Sequence, residues 1–225
     1  MKKLIAAAAF VAVAFSSSFA SAAALTMTGG DAFALTAGFS LNATTGLSAG
    51  DGIQRYTDGG TAGGLNLVGA PTEVTFEYLG SEASNYNSFV DLTNGHDVVF
   101  QNKSHWTHGS ATALYATDTT MANSNGALGF EFESDKSCFW IFLCRIGEAE
   151  NGGSIDDSFS IGLYRESAQS FIVLFGDGSG DSDMDDMAVR ISVVPVPAAL
   201  PLFGAALLGM GFLARRRKQK AAIKA

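Results

Sequence analysis

The stretch "GDGSGDSDMDDMAVRI" places Asp177, Asp181, Asp183, Asp185 and Asp186 within ten residues, directly before an alternating apolar run. Carboxylates at that density repel one another unless water or a cation screens them. Ca²⁺, a hard ion that takes six to eight oxygen ligands, matches the donor type. Glycines at 176, 178 and 180 leave the backbone free to turn carbonyls inward as further ligands. The D-x-D-x-D spacing starts like an EF-hand loop, but the sixth position is Asp186 where that loop needs Gly, and the twelfth is Ser192 where it needs Glu. Two readings of the cluster stand side by side: an extracellular type of Ca²⁺ site, and a solvated acidic turn.

Other chemistry-bearing residues form no recognisable machinery. His96, His105 and His108 are the three histidines, and "HWTH" lacks both the Glu and the i, i+4 pairing of a helical zinc-protease motif. Ser179 in "FGDGSGD" has Asp177 where a nucleophile elbow has its first Gly, and acidic residues follow it where that motif requires a helix. Glu73 and Glu77 in "EVTFEYLG" fall on the strand face away from Val74, Phe76 and Tyr78, which makes them a solvated face before a glycosidase pair. No catalytic residue is assigned, and no phosphate-cradling glycine loop occurs. Cys138 and Cys144 in "SCFWIFLCRIG" are the two cysteines, an even count that suits a disulfide in an exported chain. On one straight strand they would stand about 20 Å apart, beyond the roughly 4.4–6.8 Å Cα separation of a disulfide, so a bond requires "FWIFL" to turn back. The alternative is two buried thiols on one strand.

The elements that must position these groups read as strands. Apolar residues alternate at Val74, Phe76 and Tyr78; at Leu128, Phe130 and Phe132; at Phe159, Ile161 and Leu163; and at Val189, Ile191 and Val193. A period of two means one face buried, and the Gly- and Asn-rich stretches "TDGGTAGG", "LTNGHD", "ANSNGA" and "AENGGS" between them read as turns. "SFIVLFGDG" is continuously apolar and fits a strand covered on both faces. The fold class expected is all-β, an antiparallel β-sandwich or jelly roll over residues 23–193, flanked by a helix at each end of the chain.

Those ends carry the strongest signals. "MKKLIAAAAFVAVAFSSSFASAAA" has two lysines, an apolar stretch of about 12 residues and an Ala20-Ser21-Ala22 site, the pattern of a secretory signal peptide over 1–22. The apolar part is shorter than the roughly 20 residues a membrane span needs. At the other end, Pro197 to Ala214 is 18 residues, about 27 Å as a helix, long enough to span, and Arg215, Arg216, Arg217 and Lys218 follow it as a basic stop that stays cytoplasmic. Setting both ends aside leaves six basic residues against 22 acidic ones, a net of −16 compared with −8 for the whole chain. So acidic a surface repels nucleic acid and anionic lipid and attracts cations.

The segment "VPVPAALPLFGAALLGMGFLARRRK", with its motif at Val194, Pro195, Val196, Pro197 and Ala198, resembles the PEP-CTERM class of bacterial sorting signals and its VPLPA-type variant in particular. Val196 stands where that variant has Leu and the parent class has Glu. The resemblance covers about the last thirty residues. It implies export by the Sec machinery and signal peptidase, a precursor held in the inner membrane of a Gram-negative bacterium, and recognition by an exosortase-like membrane protease. The implied destination is the cell surface or an exopolysaccharide matrix. "VTFEYLGSEASNYNSF" and "GDSDMDDMAVRIS" are similar to stretches of other proteins bearing this signal, and that similarity carries no catalytic residues.

The function expected is a non-enzymatic surface or matrix protein. The alternative is a Ca²⁺-dependent carbohydrate-binding module, with Trp106, Tyr115 and Trp140 as platform candidates. Third comes an enzyme acting on polysaccharide.

Overall fold

The structure is a computed structural model that describes residues 23–103, 111–139, 142–178, 183–194 and Met210, without the side chains of 136–139 and 142–144. Ala23–Pro195 is one compact unit. The expected signal peptide, the sorting motif after Val194, the C-terminal helix apart from Met210 and the basic stop lie outside the described residues, as do Asp181, Trp106, Trp140, His105 and His108. Among the described residues, no helix is long and apolar enough to cross a membrane.

Fourteen strands and one helical turn are described. In chain order they are β1 (Ala24–Thr28), β2 (Asp31–Ala34), α1 (Asn42–Thr45), β3 (Gly52–Thr57), β4 (Gly64–Val68), β5 (Thr72–Gly80), β6 (Tyr86–Asp91), β7 (Asp97–Gln101), β8 (Thr117–Ala122), β9 (Gly126–Ala127), β10 (Phe130–Phe139), β11 (Phe142–Glu150), β12 (Ser160–Arg165), β13 (Ser170–Gly176) and β14 (Met187–Val193). They form three antiparallel sheets: β2-β3-β12-β13-β14-β5-β8, β11-β10-β6-β7, and β1-β4-β9.

The alternating runs behave as their period dictates. Val74, Phe76 and Tyr78 of β5, Val189, Ile191 and Val193 of β14, and Ile161 and Leu163 of β12 are buried, and they meet Phe130 and Phe132 of β10 and Phe89 of β6 in one core. Aromatic rings join the facing sheets. Phe132 stacks on Phe175 of β13 at 4.8 Å, and Phe76 meets Phe89 at 5.1 Å. Face-to-face antiparallel sheets with interleaved apolar faces make the body all-β and β-sandwich-like.

Strand β13 is buried on both sides, as its continuous apolar run requires. Phe171, Val173 and Phe175 point into the main core, while Ile172 and Leu174 join a second cluster with Leu35, Phe39, Leu47, Ile53 and Met184. Three members of that cluster come from the β2–β3 connection, which includes α1 and folds over the outer face of the large sheet. The connection's polar turns gave no sign of this, because Leu35, Phe39 and Leu47 are too widely spaced to set up either a helical or a strand period.

The chain direction reverses between β10 and β11, as a bond between the cysteines would require, while Trp140 and Ile141 lie outside the described residues. β10 and β11 are adjacent and antiparallel on either side of Trp140 and Ile141, with Cys144 opposite Lys136 and a register shift between Ser137 and Phe139. Cys138 and Cys144 are thus diagonal neighbours across one hairpin. Their side chains lie outside the described residues.

Candidate functional site

The acidic connection between β13 and β14 is the densest concentration of charge on the chain, and its described carboxylates are not solvated. Asp177, Asp183, Asp185 and Asp186 are all buried, Asp185 to 1% exposure. Met184, among them, holds a left-handed backbone at φ 69° and is itself buried in the second apolar cluster. Left-handed geometry costs a non-glycine residue roughly 1–2 kcal/mol. Burial of the Met184 side chain against Ile53 and Leu174 offsets that cost and fixes the directions in which its neighbours point.

The four described carboxylates divide into two pairs. Asp177 and Asp186 belong to a polar network at one end of the sandwich: the Asp177 backbone N–H donates to Asp186 Oδ2 at 2.7 Å, and Asp177 Oδ2 accepts from the Asn85 and Asn87 amides at 3.0 and 3.1 Å. Asn87 in turn accepts from Ser134 Oγ at 2.7 Å, while Asn102 donates to Ser81 Oγ, which donates to the Asp186 carbonyl. This network ties β6, β7 and β10 to the ends of β13 and β14.

Asp183 and Asp185 face the other way, onto the Gly38–Ser40 backbone. The Ser40 N–H donates to Asp185 Oδ2 at 2.5 Å, and a Cβ at Gly38 would lie 2.9 Å from Asp183 Oδ2. Asp185 Oδ1 is buried and receives no hydrogen bond among the described residues. A buried carboxylate oxygen without a donor is costly unless a cation meets it. Among the described residues, no three of these carboxylates offer oxygens within 4.8 Å of one another; Asp181, expected to join Asp183 and Asp185 in a shell completed by Asp177 or Asp186, lies outside them.

A second charged cluster went unrecognised in the sequence. Glu131 and Glu133 project from the face of β10 opposite Phe130 and Phe132, and both are buried. His96, in the β6–β7 turn, places Nε2 3.0 Å from Glu131 Oε1 and 3.3 Å from Glu133 Oε1. Arg145 of β11 lies 2.9 Å from the same Glu133 oxygen and also pairs with Glu148. Burial, then repulsion from Glu133 and Glu148, pushes the Glu131 carboxyl above its ordinary range, against the pull of His96 and Arg145. The signal was the alternation of Glu with Phe in "GFEFES". Nothing local connects it to His96, which arrives only because β6 pairs with β10.

The aromatic groove sought for a carbohydrate reading runs over β2, β3 and β12. It has a volume of about 600 Å³ and is bordered by Phe33, Ile53, Tyr164 and Arg165. The Arg55 guanidinium lies 4.1 Å from the Phe33 ring centroid. Tyr115 is not part of the groove. It stands 53% exposed beside the equally exposed Leu114, with φ 59°. In comparisons with known proteins, the chain matches no family model, no curated protein and no solved structure.

Proposed function

We propose that the chain is a non-enzymatic exported protein of the cell surface or exopolysaccharide matrix, with a jelly-roll-type sandwich body flanked by terminal helices. Its C-terminal signal is read by an exosortase-like protease, and Ca²⁺ completes its acidic turn. The signal-peptide pattern, the tripartite C-terminal segment and the net −16 between them support export and sorting. The single observation that carries the calcium half is Asp185 Oδ1, buried with no donor among the described residues, beside the left-handed Met184 and the Asp183 carboxylate. The ion would lie between Asp183 and Asp185, with Asp181 and turned carbonyls supplying further oxygens. Asp177 and Asp186 shape the turn through their network.

An ion that binds only the folded state stabilises it by about 2.7 kcal/mol at 100-fold over its Kd, and extracellular modules bind in the 10⁻⁴–10⁻³ M range. The test is thermal unfolding in millimolar Ca²⁺, in Mg²⁺ at equal ionic strength, and in chelator. Calcium should raise the midpoint well above magnesium. Equal shifts would reduce the effect to screening.

The groove bordered by Phe33 and Tyr164 favours a second reading, a Ca²⁺-dependent carbohydrate-binding module, since an aromatic face beside polar groups suits a sugar ring. Glycan-array binding that disappears with chelator, and with Tyr164→Ala, would establish it. Binding insensitive to both would dismiss it.

A further inference from the structure

We propose that His96, Glu131 and Glu133 form a second metal site, chemically distinct from the acidic turn, for a borderline divalent cation of the Zn²⁺ type. The site joins two separate elements. Glu131 and Glu133 are adjacent on one face of β10, and His96 comes from the turn that precedes β7. The three donor atoms lie within 4.8 Å of one another. Around a tetrahedral ion with bonds of about 2.0–2.2 Å, neighbouring ligand atoms stand roughly 3.3–3.6 Å apart. The Nε2 separation of 3.3 Å from Glu133 meets that range, and the 3.0 Å separation from Glu131 needs the exposed His96 ring to move out by about 0.3 Å.

The donor set selects the metal. An imidazole nitrogen suits Zn²⁺ and its transition-metal neighbours and does not suit Ca²⁺, which prefers oxygen throughout. His and carboxylate are both ordinary Zn²⁺ donors, and three protein ligands with water in the fourth position is the pattern of an open zinc site. His96 is 55% exposed while Glu131 and Glu133 are buried, so solvent reaches the cluster from the histidine side, which provides the entry path.

Charge balance points the same way. Glu131, Glu133 and Glu148 bring three negative charges to this patch and Arg145 one positive charge. With His96 neutral, as a ligand must be, a net of two negative charges is left for a dication to cancel. Arg145 already pairs with Glu148, so it keeps a carboxylate when the ion engages Glu133. A bound ion would pin the β6–β7 turn to β10, stapling one edge of the four-stranded sheet to its centre.

Isothermal titration of the purified, chelator-treated full chain with Zn²⁺, paired with visible absorption of added Co²⁺, decides the matter. The expected result is one strong Zn²⁺ equivalent that weakens at least about tenfold in His96→Ala and in Glu131→Gln. His96→Ala lies on an exposed turn and leaves the core intact, so it stays informative if Glu131→Gln fails to fold. Asp185→Asn should leave Zn²⁺ binding unchanged, which separates this site from the calcium turn. A His105→Ala, His108→Ala double variant should also retain it. Zn²⁺ binding that is absent, that persists in His96→Ala, or that is lost with the His105 and His108 substitutions would overturn the proposal and leave His96–Glu131–Glu133–Arg145 as an ion-pair network only.

Discussion

A carboxylate pressed against the Gly38–Ser40 backbone with one oxygen lacking a donor has a defined electrostatic signature, and Asp185 should display it. Asp185→Asn keeps the shape and removes the charge. Without calcium the variant should therefore be more stable than the parent, by about 1–3 kcal/mol, while its calcium-dependent shift disappears. Thermal melts of both chains in chelator and in calcium check the two signs together. A variant less stable than the parent in chelator would mean that no unmet charge was there. Tyr56 supplies a pH test. Its hydroxyl donates to the Thr28 carbonyl at 2.9 Å, and burial pushes its pKa from 10.0 up to about 12. Because the folded value is the higher one, the folded chain holds this proton more tightly. Its stabilising contribution is complete below about pH 10 and fades as pH rises toward 12. Tyr56→Phe should cost about 1 kcal/mol at neutral pH and remove that alkaline slope, read by denaturant unfolding at stepped pH. At this scale the acidic cluster was legible in sequence and its division into two pairs was not. The direction of each carboxylate depends on the left-handed Met184, and a methionine in that conformation is set by the pocket that receives it.

The strands were the most legible level. Each alternating run entered a strand with its apolar members in the core, although Leu128 and Phe159 lie just before β10 and β12, because a period of two has only one way to bury a face. What stayed hidden was contributed by long-range pairing: β10 beside β6, which assembles the His96 cluster, and the β2–β3 connection over the outer face of β13. That connection yields a prediction that depends on space. An added methyl at Gly38 would meet Asp183 Oδ2 at 2.9 Å, so Gly38→Ala should push the carboxylate away. The calcium-dependent rise in melting midpoint should fall markedly, while the midpoint in chelator changes little; an unchanged calcium response would show that Asp183 takes no part. The β10–β11 hairpin yields another. Non-reducing peptide mapping should find Cys138 joined to Cys144, as the even cysteine count of an exported chain suggests, and quantitative alkylation of both thiols without prior reduction would exclude the bond.

For the whole molecule, charge and order along the chain carry the functional reading. All 22 acidic residues lie between Asp31 and Asp186, and eight of the 14 basic residues sit at the two ends, so a chain without its ends would be strongly acidic where the whole chain is mildly so. Such a product stays dispersed by self-repulsion and collects divalent cations, properties that suit a hydrated polysaccharide surrounding. The β-body was legible from period and turns, whereas its ligand was not, because a groove such as that beside Phe33 and Tyr164 needs β12 brought beside β3 from about a hundred residues away. The most direct measurement of the surface-sorting claim is the intact mass of the protein extracted from the cell surface. It should begin near Ala23 and stop close to Pro195–Pro197, with both ends gone. A mature surface population that still carries Arg215–Arg217 would contradict processing of the sorting signal and make the chain a permanent single-pass anchor.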